Sequence, residues 1–387
     1  MQERPSGRVI LGARGAARVQ RGFPWIYRAD VVAPPEGTPD DVEVRDERGR
    51  VLASALWAPA PAPIALRVYA RQSSVAWDVV WPPALDASVA RRGGEPVCRL
   101  VHGEADGVPG TFVDRYEDVA VLQSATGAVD RREGAIAARL AGVLGLRLVA
   151  ARNDGSARDH EGLPRRKAVL AGGGPSRVTY REGAARFTVD VLEDAKTGGF
   201  LDQRANHARA GELARGETLD AFTYHGGFAL ALARRADRVI ALDEDPRAAT
   251  RAAENAAASG LTNVEVRAAD AFAELRRFER EGRRFDVVVV DPPALAKRKA
   301  GGEGALRAYH ELNLRAFRIT APGGWLVTCS CSGKVTAALF EEMLVGAARD
   351  AGRDAELVER RGAGPDHPVL LGLPETEYLK CFVLRVR

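Results

Sequence analysis

The sequence predicts an α/β protein whose C-terminal part is a Rossmann-like, doubly wound domain, preceded by a central α+β segment and a small N-terminal β-barrel. Three observations carry this. From about residue 186, strand-length apolar runs alternate with helical stretches ("ETLDAF", "GGFALALARRA", "RVIALDED", "PRAATRAAENAAASG", "VEVRAAD"), the rhythm of βαβ units on a largely parallel sheet. The run "VVVVD" is apolar throughout, as a strand buried on both faces has to be. Up to residue 72 the chain shows short β-type runs cut by turn signals such as "APPEGTPDD" and "DERGR".

Residues 1–72 hold four β runs, "RVIL", "DDVEVRD", "VLASALW" and "IALRVYA", spaced as in a small barrel. Residues 73–185 mix the strands "TFVDRY" and "DVAVLQS" with one helix near 129–143, and close on the hinge-like "LAGGGPSR". Residues 186–387 carry the βαβ rhythm. A chain of 387 residues exceeds one ordinary core, so two or three domains are expected. No charge-free apolar run approaches the roughly 18–20 residues of a membrane span, and "MQERPSGRVILGARG" lacks the apolar core of a signal peptide. The expected location is the cytoplasm, with no membrane partner. Four cysteines over this length make no disulfide framework, and a reducing compartment keeps them as thiols. A net charge of +4 accommodates a polyanion without demanding one. The preference for Arg over Lys reads as the mark of a GC-rich genome.

In open α/β sheets the ligand sits beyond the carboxyl ends of the strands, where strand order reverses. The residues that end each strand are therefore informative, and here they form a series. Asp220 ends the first strand and leads into "AFTYHGGFA", where Gly226 and Gly227 let backbone approach a ligand. Phe222 and Tyr224 lie in the same turn. Asp243 ends the second strand, about twenty residues on, where a carboxylate holds ribose hydroxyls. Asp270, followed by Ala271, ends the third and is placed for an adenine amino group. Asp291, followed by Pro292 and Pro293, ends the fourth. Any single Asp here reads equally well as a helix N-cap. Four in order favour an adenosyl ligand, and the lack of GxGxxG favours S-adenosylmethionine (SAM) over a dinucleotide.

Cys329 and Cys331 stand one residue apart in "VTCSCSG". Zinc commonly takes Cys-x2–4-Cys with a second pair, and Cys98 and Cys381 are isolated, so no metal is expected. A disulfide across so short a loop is strained. Cys329 suits core packing, since free Cys is among the most buried residue types. Cys331, flanked by Ser330, Ser332 and Gly333, sits where the fifth strand opens toward the pocket of Asp291. A thiol there can attack a base. Carbon 5 of a pyrimidine is a poor nucleophile until a thiolate adds at carbon 6, which makes carbon 5 enamine-like and able to take a methyl group. Asp291 is placed to hydrogen-bond the pyrimidine edge. His367 in "DHPV" reads as a turn residue before a final strand in preference to a base.

These residues carry a family resemblance. "RGFPWIYRADV", "RLVHGEADGVPGTFVDRY", "ARND", "KTGGFLDQRANH", "LDAFTYHGGFA", "VVVVDPPAL", "GGWLVTCSCSG" and "DHPVLLGLPETEYLK" together resemble the ribosomal RNA large subunit methyltransferase I type. These are class I SAM-dependent enzymes with an N-terminal PUA domain that make 5-methylcytosine in 23S rRNA. The resemblance spans essentially the whole chain. It implies Cys331 as nucleophile, and places Phe200, Asp202, Gln203 and Arg204 in the cofactor site. His225 and Gly199 depart from residues common in the family. It further implies 23S rRNA or a large-subunit precursor as partner. Trp25 and Arg28 of the PUA segment, and Lys297, Arg298 and Lys299 after the proline pair, are then candidate RNA contacts. A homodimer is compatible with the resemblance, though no patch marks its interface. Two other readings stay open: methylation of a base nitrogen oriented by the Asp-Pro-Pro loop, and a noncatalytic RNA-binding assembly factor.

Overall fold

The computed structural model describes residues 3–295 and 302–387. It divides into two compact units. The first runs up to Thr179 and adds Val189–Leu201 and Pro365–Thr376; the second comprises Tyr180–Thr188, Asp202–Gly364 and Glu377–Arg387.

The first unit holds two sheets. β1 (Gly7–Leu11), β2 (Trp25–Tyr27), β3 (Val31–Ala33), β4 (Asp41–Asp46), β5 (Val51–Trp57) and β6 (Ile64–Arg71) form a sheet in the order β2-β6-β5-β4-β1-β3. Its pairs are antiparallel except β1 with β4. Period-two alternation sends Val9, Leu11, Val42 and Val44 to one core with Ile26 and Leu66. The sheet is open, with β2 and β3 as its edges, so the barrel expected from the short strands is not closed by hydrogen bonds.

The second sheet comprises β7 (Val97–His102), β8 (Thr111–Tyr116), β9 (Val119–Ser124), β10 (Leu148–Asn153) and β11 (Arg166–Gly172), in sequential order. The helix expected near 129–143 runs Glu133–Leu144. The helix Trp77–Arg91 was not expected, because Pro82 and Pro83 lie inside it. Each interior proline costs a helix about 3 kcal/mol. The compensation is burial: Trp77, Trp81, Leu85 and Val89 recur at four-residue spacing and all lie in the core. Removing about 150–250 Å² per tryptophan at ~25 cal/mol/Å² supplies about 4–6 kcal/mol each, enough to override local preference. β12 (Arg177–Glu182) and β13 (Ala185–Asp190) make a separate two-stranded sheet.

The second unit is built on seven strands: β14 (Glu217–Asp220), β15 (Arg238–Asp243), β16 (Val264–Ala268), β17 (Phe285–Val290), β18 (Thr320–Ser330), β19 (Ala355–Arg361) and β20 (Lys380–Val386). The order is β16-β15-β14-β17-β18-β20-β19. The first five run parallel; β20 is antiparallel to β18, and β19 to β20. Strand order reverses between β14 and β17, which puts the ligand-binding crevice at the carboxyl ends of those two strands. "VVVV" in β17 is wholly buried, as expected of an inner parallel strand. Helix Gly302–Ile319 packs Leu312, Ala316 and Phe317 into the same core as Leu219, Val288 and Phe382. Among the described residues no helix is long and apolar enough to cross a membrane.

Trp77→Ala is expected to lower unfolding free energy by about 3–5 kcal/mol. Chemical denaturation followed by circular dichroism reads the loss, and an effect under about 1 kcal/mol would show that this side chain does not hold the proline-bearing helix in place.

Candidate active site

The carboxyl ends of β14 and β15 are built by backbone hydrogen bonds to carboxylates. Asp220 is fully buried and accepts from the N–H of Ala229 at 3.0 Å, so it ties β14 to the helix Gly227–Leu232. Burial pushes its carboxyl up to about 6, against the opposing pull of Thr223, His207 and the Ala229 and Phe222 amides. Asp243, half-buried at the end of β15, accepts from Tyr224 N–H at 2.8 Å and from Asp245 N–H at 2.9 Å, one on each oxygen. A carboxylate offers about four acceptor positions, so two N–H bonds fix its plane and leave acceptor capacity for a diol. Burial raises its pKa, assisted by the charges of Asp245 and Glu244 and opposed by those two amides.

Tyr224 adopts φ +48° and Gly226 φ +94°, so the turn between β14 and its helix is wound into the left-handed region. A Cβ on Gly226 would stand 2.4 Å from Leu230 Cδ1. At Gly227 a Cβ would stand 2.4 Å from the His207 ring, so the space this glycine opens is taken by an imidazole. That buried His207 meets Glu182 through Nδ1 at 2.6 Å and lies edge-on to Phe228, ring centroids 4.5 Å apart. Burial lowers its pKa, but Glu182, with smaller contributions from Asp291 and Asp220, outweighs that and leaves it raised. Neither His207 nor Glu182 was anticipated. The available signal was the spacing of Gln203 and His207, one helical turn apart.

β16 ends at Ala268, and Asp270, exposed, is the N-cap of the helix Ala271–Arg280, accepting from Ala273 N–H at 2.9 Å. Capping is thus what the structure shows it doing, and Ala271 is the first, buried residue of that helix. Asp291 follows β17 directly. Gln203 Nε2 donates to its Oδ2 at 2.9 Å; Gln203 Oε1 in turn accepts from Asn206 at 2.6 Å, whose Oδ1 accepts from Arg361 Nε at 2.9 Å. This relay fixes the Asp291 carboxyl. Asp202 is buried and accepts from the Tyr378 hydroxyl at 2.7 Å, and Arg204, half-buried, opens the helix Arg204–Leu213. Phe200 lies in the first unit, with Lys196 Nζ over its ring at 3.9 Å. The turn before it is anchored there too: Thr197 donates to Asp114 at 2.6 Å, and the Gly199 N–H to the Tyr116 hydroxyl at 2.9 Å.

Cys329 is fully buried in β18, with Cys381 opposite it on β20. Burial, then Cys381 and Asp291, raise its thiol well above the ordinary value, so it is packing and not a nucleophile. Among the described residues Cys331 is the one cysteine not buried. It follows the last residue of β18, and its charge, with that of Asp291, bears on the Tyr309 phenol. Burial first, then those two charges, raise Tyr309. Cys331, Asp291 and Tyr309 therefore form one electrostatic cluster at the end of β17 and β18. Tyr309 had no sequence signal, because its helix was not foreseen.

The remaining expectations fall elsewhere. His367 lies in the first unit, 3% exposed, with Nδ1 2.9 Å from Asp366 Oδ1 and its ring edge-on to His102 at 5.2 Å; this is the turn role. Trp25 donates its indole N–H to Glu104 at 2.7 Å beneath the Arg67 guanidinium, and Arg28 stacks on Trp57 at 4.8 Å while donating to the Ala58 and Ala62 carbonyls. Both side chains, half-buried, brace the N-terminal sheet. Lys297, Arg298 and Lys299 lie outside the described residues.

Residues 168–381 match the family of S-adenosylmethionine-dependent methyltransferases, and residues 9–71 the PUA-like domain. The chain is 36% identical over 384 residues to ribosomal RNA large subunit methyltransferase I of Shewanella amazonensis, covering 95% of this chain and 96% of the relative. The protein of that name from Vibrio cholerae is 35% identical with the same coverage; that from Erwinia tasmaniensis is 33% identical over 98% of this chain and 99% of its own. In fold the chain is similar to a structure described as a SAM-dependent methyltransferase from Streptococcus mutans, with TM-score 0.82 and 17% identity over 98% of this chain and 99% of that one. A methyltransferase structure complexed with SAH gives TM-score 0.83 at 18% identity, with the same coverage.

Because ionising Asp220 is disfavoured in the folded state, its contribution to stability is present below about pH 4 and is lost as pH rises through about 6. Asp220→Asn is expected to flatten this slope: the denaturation midpoint should fall less between pH 5 and pH 7.5 than in the parent chain. Equal falls in the two proteins would show that Asp220 is ionised without penalty.

Proposed function

Because the chain belongs to the ribosomal RNA large subunit methyltransferase I family and carries its SAM-dependent methyltransferase domain, we propose that it methylates carbon 5 of a cytosine in 23S ribosomal RNA through a covalent adduct on Cys331. The residues at the crevice suit the cofactor. Asp243 has acceptor capacity for a ribose diol, and the turn of Tyr224 and Gly226 brings backbone to the end of β14. Phe222, Gly227, Asp270 and Ala271, which follow the ends of β14 and β16, are the further residues assigned to the cofactor in this reading. Asp202 and Gln203 enter on the short 3-10 turn that leads into the helix opened by Arg204, with Gln203 tied to Asp291, and Phe200 precedes them in sequence. When bound, SAM supplies an electrophilic methyl group.

The chain's own residues supply the rest. The Cys331 thiolate adds to carbon 6 of the base, and the electron pair displaced to carbon 5 makes that carbon the nucleophile. Asp291, held by Gln203, offers an acceptor, or when protonated a donor, to the N3 and amino edge. After methylation the carbon 5 proton leaves to a base and the carbon–sulfur bond breaks, which restores the ring and returns the thiolate. A base inside a folded RNA must be turned out of its stack to reach such a pocket. The exposed faces of the PUA-like sheet, with the Lys297–Lys299 segment, are the proposed RNA contacts. Trp25 and Arg28 would serve there through the framework they brace.

The observation that carries this reading is the partition of the two neighbouring cysteines: Cys329 sealed in the sheet, Cys331 half-exposed beside Asp291. Cys331→Ala is expected to lower methyl transfer to 23S rRNA at least about a thousand-fold while leaving SAM binding unchanged. Mass spectrometry of rRNA nucleosides, with and without the gene, should show loss of one 5-methylcytosine. Full turnover by the alanine chain would point instead to a base-nitrogen acceptor.

A further inference from the structure

Lys380 is a buried cation whose position is unusual for its charge. It is 5% exposed, and among the described residues no carboxylate lies within ion-pair distance of it. It opens β20 directly opposite Ser330, the residue before Cys331. Its Nζ donates to the carbonyl of Ser332, the residue after Cys331, at 2.7 Å, and to the carbonyl of Tyr378 at 2.7 Å. The ammonium is thus tied to the carbonyl that directly follows the proposed nucleophile and to the lead-in of its own strand. A buried ammonium needs a counter-charge. Burial lowers the Lys380 pKa, and the charges that act in the opposite direction are Cys331 first and Glu377 second.

From this geometry we propose that Lys380 is a positioning residue for Cys331: it holds the end of β18 in place and favours the thiolate over the thiol. The inference rests on the reading of Cys331 as nucleophile and adds the group that poises it. The other charged or titratable groups near Cys331 act otherwise. Asp291, beyond β17, opposes a second negative charge. Tyr309, from the helix Gly302–Ile319, keeps its proton because burial raises it. Cys329 and Cys381 are buried on the sheet. Among these described groups Lys380 is the cation, and the thiolate is the anion that a catalytic cysteine has to become.

Alkylation of the full chain by iodoacetamide, with the Cys331 peptide quantified by mass spectrometry from pH 5.5 to 10, reads the thiolate directly: sulfur displaces iodide only when deprotonated. In the parent chain the midpoint is expected below the ordinary thiol value of about 8.5. In Lys380→Met it should rise by about one pH unit, so that the alkylation rate at pH 7 falls about tenfold, whereas Lys380→Arg, which keeps the charge, should retain the parent midpoint. A Lys380→Met chain that binds SAM normally and shows an unchanged profile would overturn the inference. Should that variant not fold, the parent alone decides: a midpoint at or above about 8.5 overturns it equally. Turnover by Cys331→Ala is a separate result, since it would sink the reading of Cys331 as nucleophile while leaving the alkylation profile free to report on Lys380.

Discussion

Everything in the second unit depends on the parallel pairing of β17, with β14 on one side and β18 on the other. Parallel strands in register deliver their carboxyl ends to one edge. Asp220, Asp291 and Cys331, distant in sequence, therefore emerge side by side, each within a residue of a strand end. The pairing is paid for by burial, with Val287–Val290 of β17 wholly inside and Leu219 and Leu326 from its two neighbours in the same core as Val288. Such a sheet has no tolerance for a register slip, because a shift of one residue would turn Cys329 and the rest of its buried row to the opposite face.

The antiparallel addition of β20 changes what that edge can do. A purely parallel sheet ends its fifth strand in solvent. Here β20 returns beside β18, setting Cys381 against Cys329 and Lys380 against Ser330. The first pair completes an apolar layer of thiols. The second brings a cation up to the strand end where chemistry is proposed, held by carbonyls that cannot neutralise it. The end of one strand thus separates a packing sulfur, Cys329 inside the pairing with β20, from Cys331, the first residue beyond it.

A similar division recurs among the acids. Asp243 is bound by two backbone amides and kept in a defined plane, while Asp270 closes a helix end. Both lie in the predicted series, and the same residue type serves two purposes because the distance past the strand differs: Asp243 is the last residue of β15, and Asp270 lies two residues beyond β16. Gly227 makes the same point. The sequence marked it as a place where something comes close, and the something includes His207, a buried ring paired with Glu182.

The sequence by itself determined the alternation of strands and helices, the order of the strand-terminal acids and the contrast between Cys329 and Cys331. All three are local: hydrophobic period, strand ends and residue type can be read within a few positions. It did not disclose the helix through Pro82 and Pro83, since local preference opposes it and burial of Trp77 and Trp81 decides it. Nor did it disclose the Gln203–Asp291 bond, the Tyr309 phenol or Lys380 beside Cys331, because each joins segments from 22 to 88 residues apart. Those contacts exist only after the core has closed, when hydrophobic burial has fixed the backbone and left each polar group the partners within its reach.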